Sequence, residues 1–462
     1  MNTITQDVIE ALRSKLRGPV IMPGDPDYDE ARSIWNAMID KRPGAIARCS
    51  GVADIMHAVR VAKNHDLLVS VRSGGHNIAG NAICDGGLTI DLSTMRSVRV
   101  NPNTRRAYVE AGATLGDFDH EAQAFGLATP LGINSTTGVT GLTLGGGFGW
   151  LTRQHGMTVD NLVAAEMVTA EGERLRTSAE QNADLFWAIR GGGGNFGIVT
   201  QFEFKLHPVG PEVLTGLVVY PFEQAQSVLK QYREILDTLP DELSVWAVLR
   251  QAPPLPFLPE AVHGREVVVF AFLHSGDLDE GRRLIEPVRH FGDAYGEHIG
   301  PSSFAEWQQV FDPLLTPGAR NYWKSHNFAE LSDGAIDAIT EYAGKLPSAQ
   351  CEIFIGLVGG EASRVAPEVT AYAHRNAKFV VNVHGRWDDP KEDAACVSWS
   401  RAFFQAAKPY ALGSVYVNFM TEEETDRIAE AYGPNYERLA RVKQIYDPRN
   451  FFHLNQNIRP AG

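Results

Sequence analysis

Cysteine is scarce in this chain, with four among 462 residues: Cys49, Cys84, Cys351 and Cys396. No two stand as C-x-x-C and none lies beside a histidine at zinc-finger spacing, which removes the signatures of a structural zinc site or redox dithiol. Free buried thiols are the expectation. Basic residues are also in deficit. Lys and Arg number 42 against 56 Asp and Glu, a net charge of −14, so a nucleic-acid backbone would repel the chain and is not an expected partner. No run of eighteen apolar residues occurs, so no membrane association through a spanning helix is expected. Segment 1–18 carries charge throughout, with Val8, Ile9, Leu12 and Leu16 at helical spacing, and has no apolar leader core. A cytoplasmic location is the expectation. Neither H-E-x-x-H nor G-x-S-x-G is present, so zincin and serine-hydrolase chemistry lack their motifs.

Glycine, by contrast, is abundant, and it sits mostly in clusters. The length calls for at least two domains. The first part reads as α+β. A strand at 45–49, a helix at 52–65 and a strand at 67–72 form a βαβ unit, which predicts a parallel strand pair. Strands are expected at 88–92, 97–101 and 106–113, then a helix over 115–125 capped by Thr114 with Asp117 and ended by Gly126. Residues 136–151 read as a glycine-rich loop, 162–177 as a hairpin, and 183–190 as a helix capped by Asn182. Segment 198–206 alternates as a half-buried strand. From about 212 the texture changes to long strands alternating with helices near 222–238, 277–291, 334–345 and 390–408, which predicts a second domain on an antiparallel sheet. The expected division is 1–210, 211–412 and a segment 413–462 that returns to the first domain, with 414–419 a strand.

The formal G-x-G-x-x-G at Gly192, Gly194 and Gly197 follows a helix and precedes a strand, the reverse of a dinucleotide fingerprint, so no Rossmann site is expected there. Three glycine clusters, at 74–75, 145–149 and 191–197, nevertheless lie within one domain. Glycine lets backbone N–H groups approach an anion closely, so the three together point to a phosphate-bearing ligand held by main chain.

Four stretches, VSVRSGGHNIAG, GVTGLTLGGGFGWL, DLFWAIRGGGGNFGIVT and NYERLARVKQIYDPRNFFHLNQNI, resemble vanillyl-alcohol-oxidase-type FAD-linked oxidoreductases. Within that type they resemble the berberine-bridge-enzyme-like branch, which includes nicotine, oligosaccharide and natural-product oxidases. The resemblance implies a PCMH-type FAD-binding domain beside an antiparallel-sheet substrate domain. It implies FAD linked through its 8α-methyl to His76. The cofactor contacts it implies are Arg72, Ser73, Gly74, Gly75 and Asn77; Thr137, Gly138, Gly141, Leu142, Gly145, Gly146 and Gly149; Gly194, Gly197, Ile198 and Val199; and Asn455 and Asn457. Many members carry a second tether on a cysteine where this chain has Asn134, so a single link is expected.

Tyr416 is the candidate base, with Asn418 beside it on the expected strand, where side chains alternate. Glu352, flanked by Cys351, Ile353 and Ile355, is a second catalytic candidate, although a solvent-facing glutamate on an amphipathic strand is the simpler expectation. Trp246 is expected in the core, and Lys443 and Arg449 at the surface or joining domains. The implied activity is oxidation of an alcohol or amine C–H of a small or medium organic substrate, with O2 as acceptor, by a monomer or homodimer. A dehydrogenase with another acceptor, an oxygenating flavin-N5-oxide enzyme and a non-catalytic flavin-binding protein remain open at this stage.

Overall fold

The computed structural model describes residues 4–462. The architecture is α+β in two domains, built on three large sheets, with a fourth of two strands that pairs Leu127–Ala128 with His207–Pro208. The first has four strands in the order Val20–Ile21, Ala45–Arg48, Leu88–Asp91, Val69–Arg72, the last three parallel. The βαβ unit is there, with its helix at Val52–Asn64, but its two strands are not neighbours. Leu88–Asp91, buried at every position, lies between them. The strand buried at every position thus sits inside the parallel sheet, where both faces are covered.

The second sheet is antiparallel, in the order Val98–Asn101, Arg106–Glu110, Ile198–Lys205, Leu162–Val168, Arg174–Ser178. Thr114 and Asp117 form a reciprocal capping box at the helix Leu115–Gln123, in which the Thr114 hydroxyl accepts from the Asp117 N–H and the Asp117 carboxylate from the Thr114 N–H. Two expectations fail nearby. Residues 136–151 are not all loop, since Val139–Leu144 is a helix starting at Gly138. Asn182 does precede the helix Ala183–Ile189, but in a left-handed conformation, and its amide donates to the Arg176 carbonyl rather than capping the helix.

The third sheet has seven antiparallel strands in the order Gly296–Ser303, Glu212–Pro221, Glu266–His274, Leu243–Gln251, Glu352–Leu357, Phe379–Trp387, Arg320–Phe328. Helices Ala225–Ile235, Leu278–Arg289, Asp333–Ala343 and Asp393–Ala407 pack against it. Because side chains alternate, Cys351, Ile353 and Ile355 are buried on one face while Glu352 and Phe354 point to the other. All four cysteines are buried and unpaired. Among the described residues no helix is long and apolar enough to cross a membrane.

Candidate active site

A cavity of about 440 Å³ lies between the glycine loops and the second face of the seven-stranded sheet. Ser73–Asn77, the helix start around Thr137–Gly145 and the Gly193–Val199 loop converge on it. Absent side chains allow the first two to touch: a Cβ on Gly74 would sit 2.3 Å from the Gly138 nitrogen. Gly141 and Gly194 differ. They line the cavity, and a Cβ on either would meet nothing within 4 Å. Asn455, at the same end, keeps a buried Oδ1 with no partner among the described residues. Open space over two glycines and an orphaned acceptor fit a long ligand with phosphates, hydroxyls and ring N–H groups, as FAD has.

His76 stands at the end of the strand Val69–Arg72, its ring stacked on Trp35 with centroids 5.1 Å apart. Burial pushes its pKa down to about 3, so the ring is neutral at neutral pH. The hydrogen bonds fix its tautomer. The Thr136 hydroxyl donates to Asn134 Oδ1 at 2.6 Å, so its oxygen accepts the 2.9 Å bond from His76 Nε2–H. Nδ1 keeps its lone pair, with only a 3.4 Å contact to the Thr137 hydroxyl.

Tyr416 and Asn418 also line the cavity, but not on a strand. Val417–Phe419 is a turn of 3₁₀ helix, in which the expected face-sharing does not apply. The two side chains meet nonetheless: Asn418 Nδ2 donates to the Tyr416 oxygen at 3.0 Å and to the Leu142 carbonyl at 3.1 Å. The Gly147 N–H gives the tyrosine oxygen a second donor at 3.0 Å. Burial raises the phenol to about 12 against these two bonds.

Glu352 is not solvent-facing. It is buried on the cavity wall within a row that crosses four strands in register: Arg250, Glu352, His384, Trp323. Glu352 accepts from Arg250 and from His384 Nδ1, each at 2.8 Å. Burial alone would raise its pKa, but Arg250 and the His384 hydrogen bond overrule it and hold the carboxyl below its ordinary value. Trp246 is both core and wall, stacked on Trp150 with centroids 4.2 Å apart.

Most of the expected cofactor contacts reach the cavity; Arg72, Gly146, Gly149 and Asn457 do not. Arg72 turns to the Ala31 carbonyl, and Gly149 is a packing glycine whose Cβ would collide with the Leu131 carbonyl oxygen. Lys443 is not at the surface. It is fully buried and donates to the Asn195 and Phe452 carbonyls and to Asp447, while Arg449 is exposed. The sequence reading missed Trp35, Arg250, Trp323 and His384. The signal for His384 was legible in its own strand, where Asn382, His384 and Arg386 recur at period two opposite Val381, Val383 and Trp387. Of these three only His384 lines the cavity.

Residues 43–178 match the family described as FAD binding domain, and 415–459 the one described as berberine and berberine like. An FAD-linked oxidoreductase of Bacillus subtilis (strain 168) is 33% identical over 458 residues, covering 97% of this chain and 98% of that protein. The (R)-6-hydroxynicotine oxidase of Paenarthrobacter nicotinovorans is 32% identical over 462 residues, 97% and 98% of the two chains. The crystal structure of 6-hydroxy-D-nicotine oxidase from Arthrobacter nicotinovorans superposes with a TM-score of 0.86 at 30% identity, covering 96% and 98%. With glycine loops, a strand-end histidine and a C-terminal segment closing one cavity, and relatives matching over nearly its whole length, the chain belongs to the berberine-bridge-enzyme-like FAD-linked oxidoreductases.

Proposed function

We propose that the chain is an oxidase carrying FAD through one bond, from His76 Nδ1 to the 8α carbon, and oxidising an alcohol or amine C–H of a small or medium organic molecule with O2 as acceptor. In this reading 1–210 and 413–462 hold the cofactor and 211–412 shapes the substrate chamber. The observation that carries it is the neutral imidazole of His76, with Nε2 held by Thr136 and Nδ1 left as an acceptor at the cavity that meets only the long 3.4 Å contact from the Thr137 hydroxyl. Asn134, where relatives place a second tether, serves instead as the acceptor that orients Thr136.

Bound FAD supplies the two-electron acceptor. The chain supplies position and a proton path. Gly141 and Gly194 leave room for the nucleotide, with Ser73–Asn77, Thr137, Gly138, Ile198, Val199 and Asn455 around it. Tyr416 can take the substrate proton only as its phenolate, and the Gly147 N–H and Asn418 Nδ2, which both donate to its oxygen, favour that form against the burial that opposes it. The apolar wall excludes water.

Acid precipitation of the purified holoprotein tests the tether. A yellow pellet is expected from the native chain, and His76→Ala should move the colour to the supernatant. Native protein that releases its flavin to the supernatant overturns the link. Peroxide formed when the reduced protein meets air identifies an oxidase; slow reoxidation identifies a dehydrogenase.

A further inference from the structure

The row Arg250–Glu352–His384–Trp323 holds a feature that the redox reading does not use. Arg250 and Glu352 are spent on each other. An ionised carboxylate only accepts, so the 2.8 Å contact between Glu352 Oε1 and His384 Nδ1 places the imidazole proton on Nδ1. In the neutral ring that leaves Nε2 as the acceptor. It makes no hydrogen bond to any described residue, and its ring lines the cavity. With one guanidinium already balancing one carboxylate, the row is neutral when the imidazole is neutral.

The ring cannot swing away from this aim. It lies parallel to Trp323, 4.3 Å between centroids and 13° between planes, and parallel to Phe354 at 6.1 Å and 12°. Beside it, the Trp323 Nε1–H is a buried donor with no partner among the described residues. Unpaired buried donors are uncommon in folded proteins. An acceptor nitrogen facing the cavity is matched by a ligand hydroxyl donor. The remaining sheet residues on this wall are apolar: Leu217, Val248, Val269, Ala271 and Phe354, with Trp246 bonded to the Leu357 carbonyl. A sugar brings a hydroxyl on nearly every carbon and would leave most of them unpaired here.

We propose that His384 Nε2, with its tautomer set by Glu352, is the specificity-determining acceptor of the chamber, and that it selects a flat aromatic substrate bearing a hydroxyl donor. This rests on reading the cavity as the substrate chamber of an FAD oxidase. Glu352 is a positioning residue in this scheme: it touches the ligand only through His384.

The test is equilibrium binding to the oxidised holoprotein, read from the visible flavin band, with 2-naphthol and 2-methoxynaphthalene as probes. The native chain should prefer 2-naphthol by about tenfold, as one hydrogen bond to a desolvated acceptor is worth. His384→Phe keeps the stack and removes the acceptor, so the preference should fall to about one. Glu352→Gln frees the tautomer and should lower the preference several-fold. No preference in the native chain, an unchanged preference in His384→Phe, or failure of both probes to bind overturns the proposal. A second measurement needs no variant. In ¹⁵N-histidine-labelled native protein, His384 should show a protonated Nδ1 and an unprotonated Nε2; the opposite tautomer overturns it. Failure of the oxidase reading itself would appear elsewhere, as a flavin that no alcohol or amine reduces, and binding of these probes does not depend on turnover.

Discussion

Lys443→Met removes a buried cation whose every hydrogen is in use. Lys443 Nζ donates to the Asn195 carbonyl at 2.6 Å, to Asp447 Oδ2 at 2.7 Å and to the Phe452 carbonyl at 2.9 Å, at zero side-chain exposure. Asp447 in turn accepts the Phe451 and Phe452 N–H groups. The node thus pins the helix Tyr436–Tyr446 to both the glycine loop and the C-terminal segment that presents Asn455. Methionine fills a similar volume, so the substitution isolates the charge and its hydrogen bonds. It strands the Asp447 carboxylate without a counter-ion and leaves the Asn195 carbonyl unpaired. Breaking one partner of a buried pair costs about 3–5 kcal/mol. Unfolding entropy near 2.1 cal/mol/K per residue gives this chain about 1 kcal/mol/K, so Tm should fall by roughly 3–5 °C in calorimetry. Lys443→Met with Asp447→Asn keeps an acceptor for the Phe451 or Phe452 N–H while removing the stranded charge, and should recover about 1 kcal/mol or more. A single variant that melts within about 1 °C of the native chain, or a double variant no more stable than the single, refutes the reasoning.

Two further substitutions separate packing glycines from ligand-facing ones. Gly74→Ala drives a Cβ to 2.3 Å from the Gly138 backbone, so it should cost about 1–3 kcal/mol and lower flavin content together. Gly141→Ala enters open space and should leave the melt unchanged while flavin per protein, read from the visible-to-ultraviolet absorbance ratio, declines; equal melts for the two variants would contradict the distinction. Asp119 gives a pH test. Burial, opposed by the hydrogen bond from Gln308, raises its pKa from an ordinary 3.8 to about 7. Between those values the folded chain holds a proton that the unfolded chain has lost, so this group makes stability fall as pH rises, by about 1.4 kcal/mol per pH unit, with the loss complete above about 7. Asp119→Asn should flatten that slope in urea unfolding between pH 4 and pH 7, and parallel profiles for the two proteins would refute the assignment.

Local periodicity and glycine clustering determined much of this protein. The alternation in 198–205, the capping pair Thr114–Asp117 and the long strands after 212 are properties of neighbouring residues, and they form as their sequences dictate. The three glycine clusters announced a main-chain ligand cradle, and the flanking motifs named its family. What lay beyond reach were relations between segments far apart in the chain. Leu88–Asp91 entering between the two strands of the βαβ unit is a relation among three strands, which no single strand encodes. Tyr416 and Asn418 meet through a 3₁₀ turn and the glycine helix rather than through strand alternation. Glu352 and Lys443 looked like surface charges because a charged side chain is ordinarily solvated. Their burial drew on partners 102 and 248 residues away, Arg250 for one and the Asn195 carbonyl for the other, although the counter-ion of Lys443, Asp447, is only four residues along. The sequence by itself specified the elements and the glycine loops, since these follow from backbone freedom and nearest-neighbour hydrophobicity. Only the tertiary structure decided which charges went inside, because the desolvation of a charge is offset by whatever the fold brings against it.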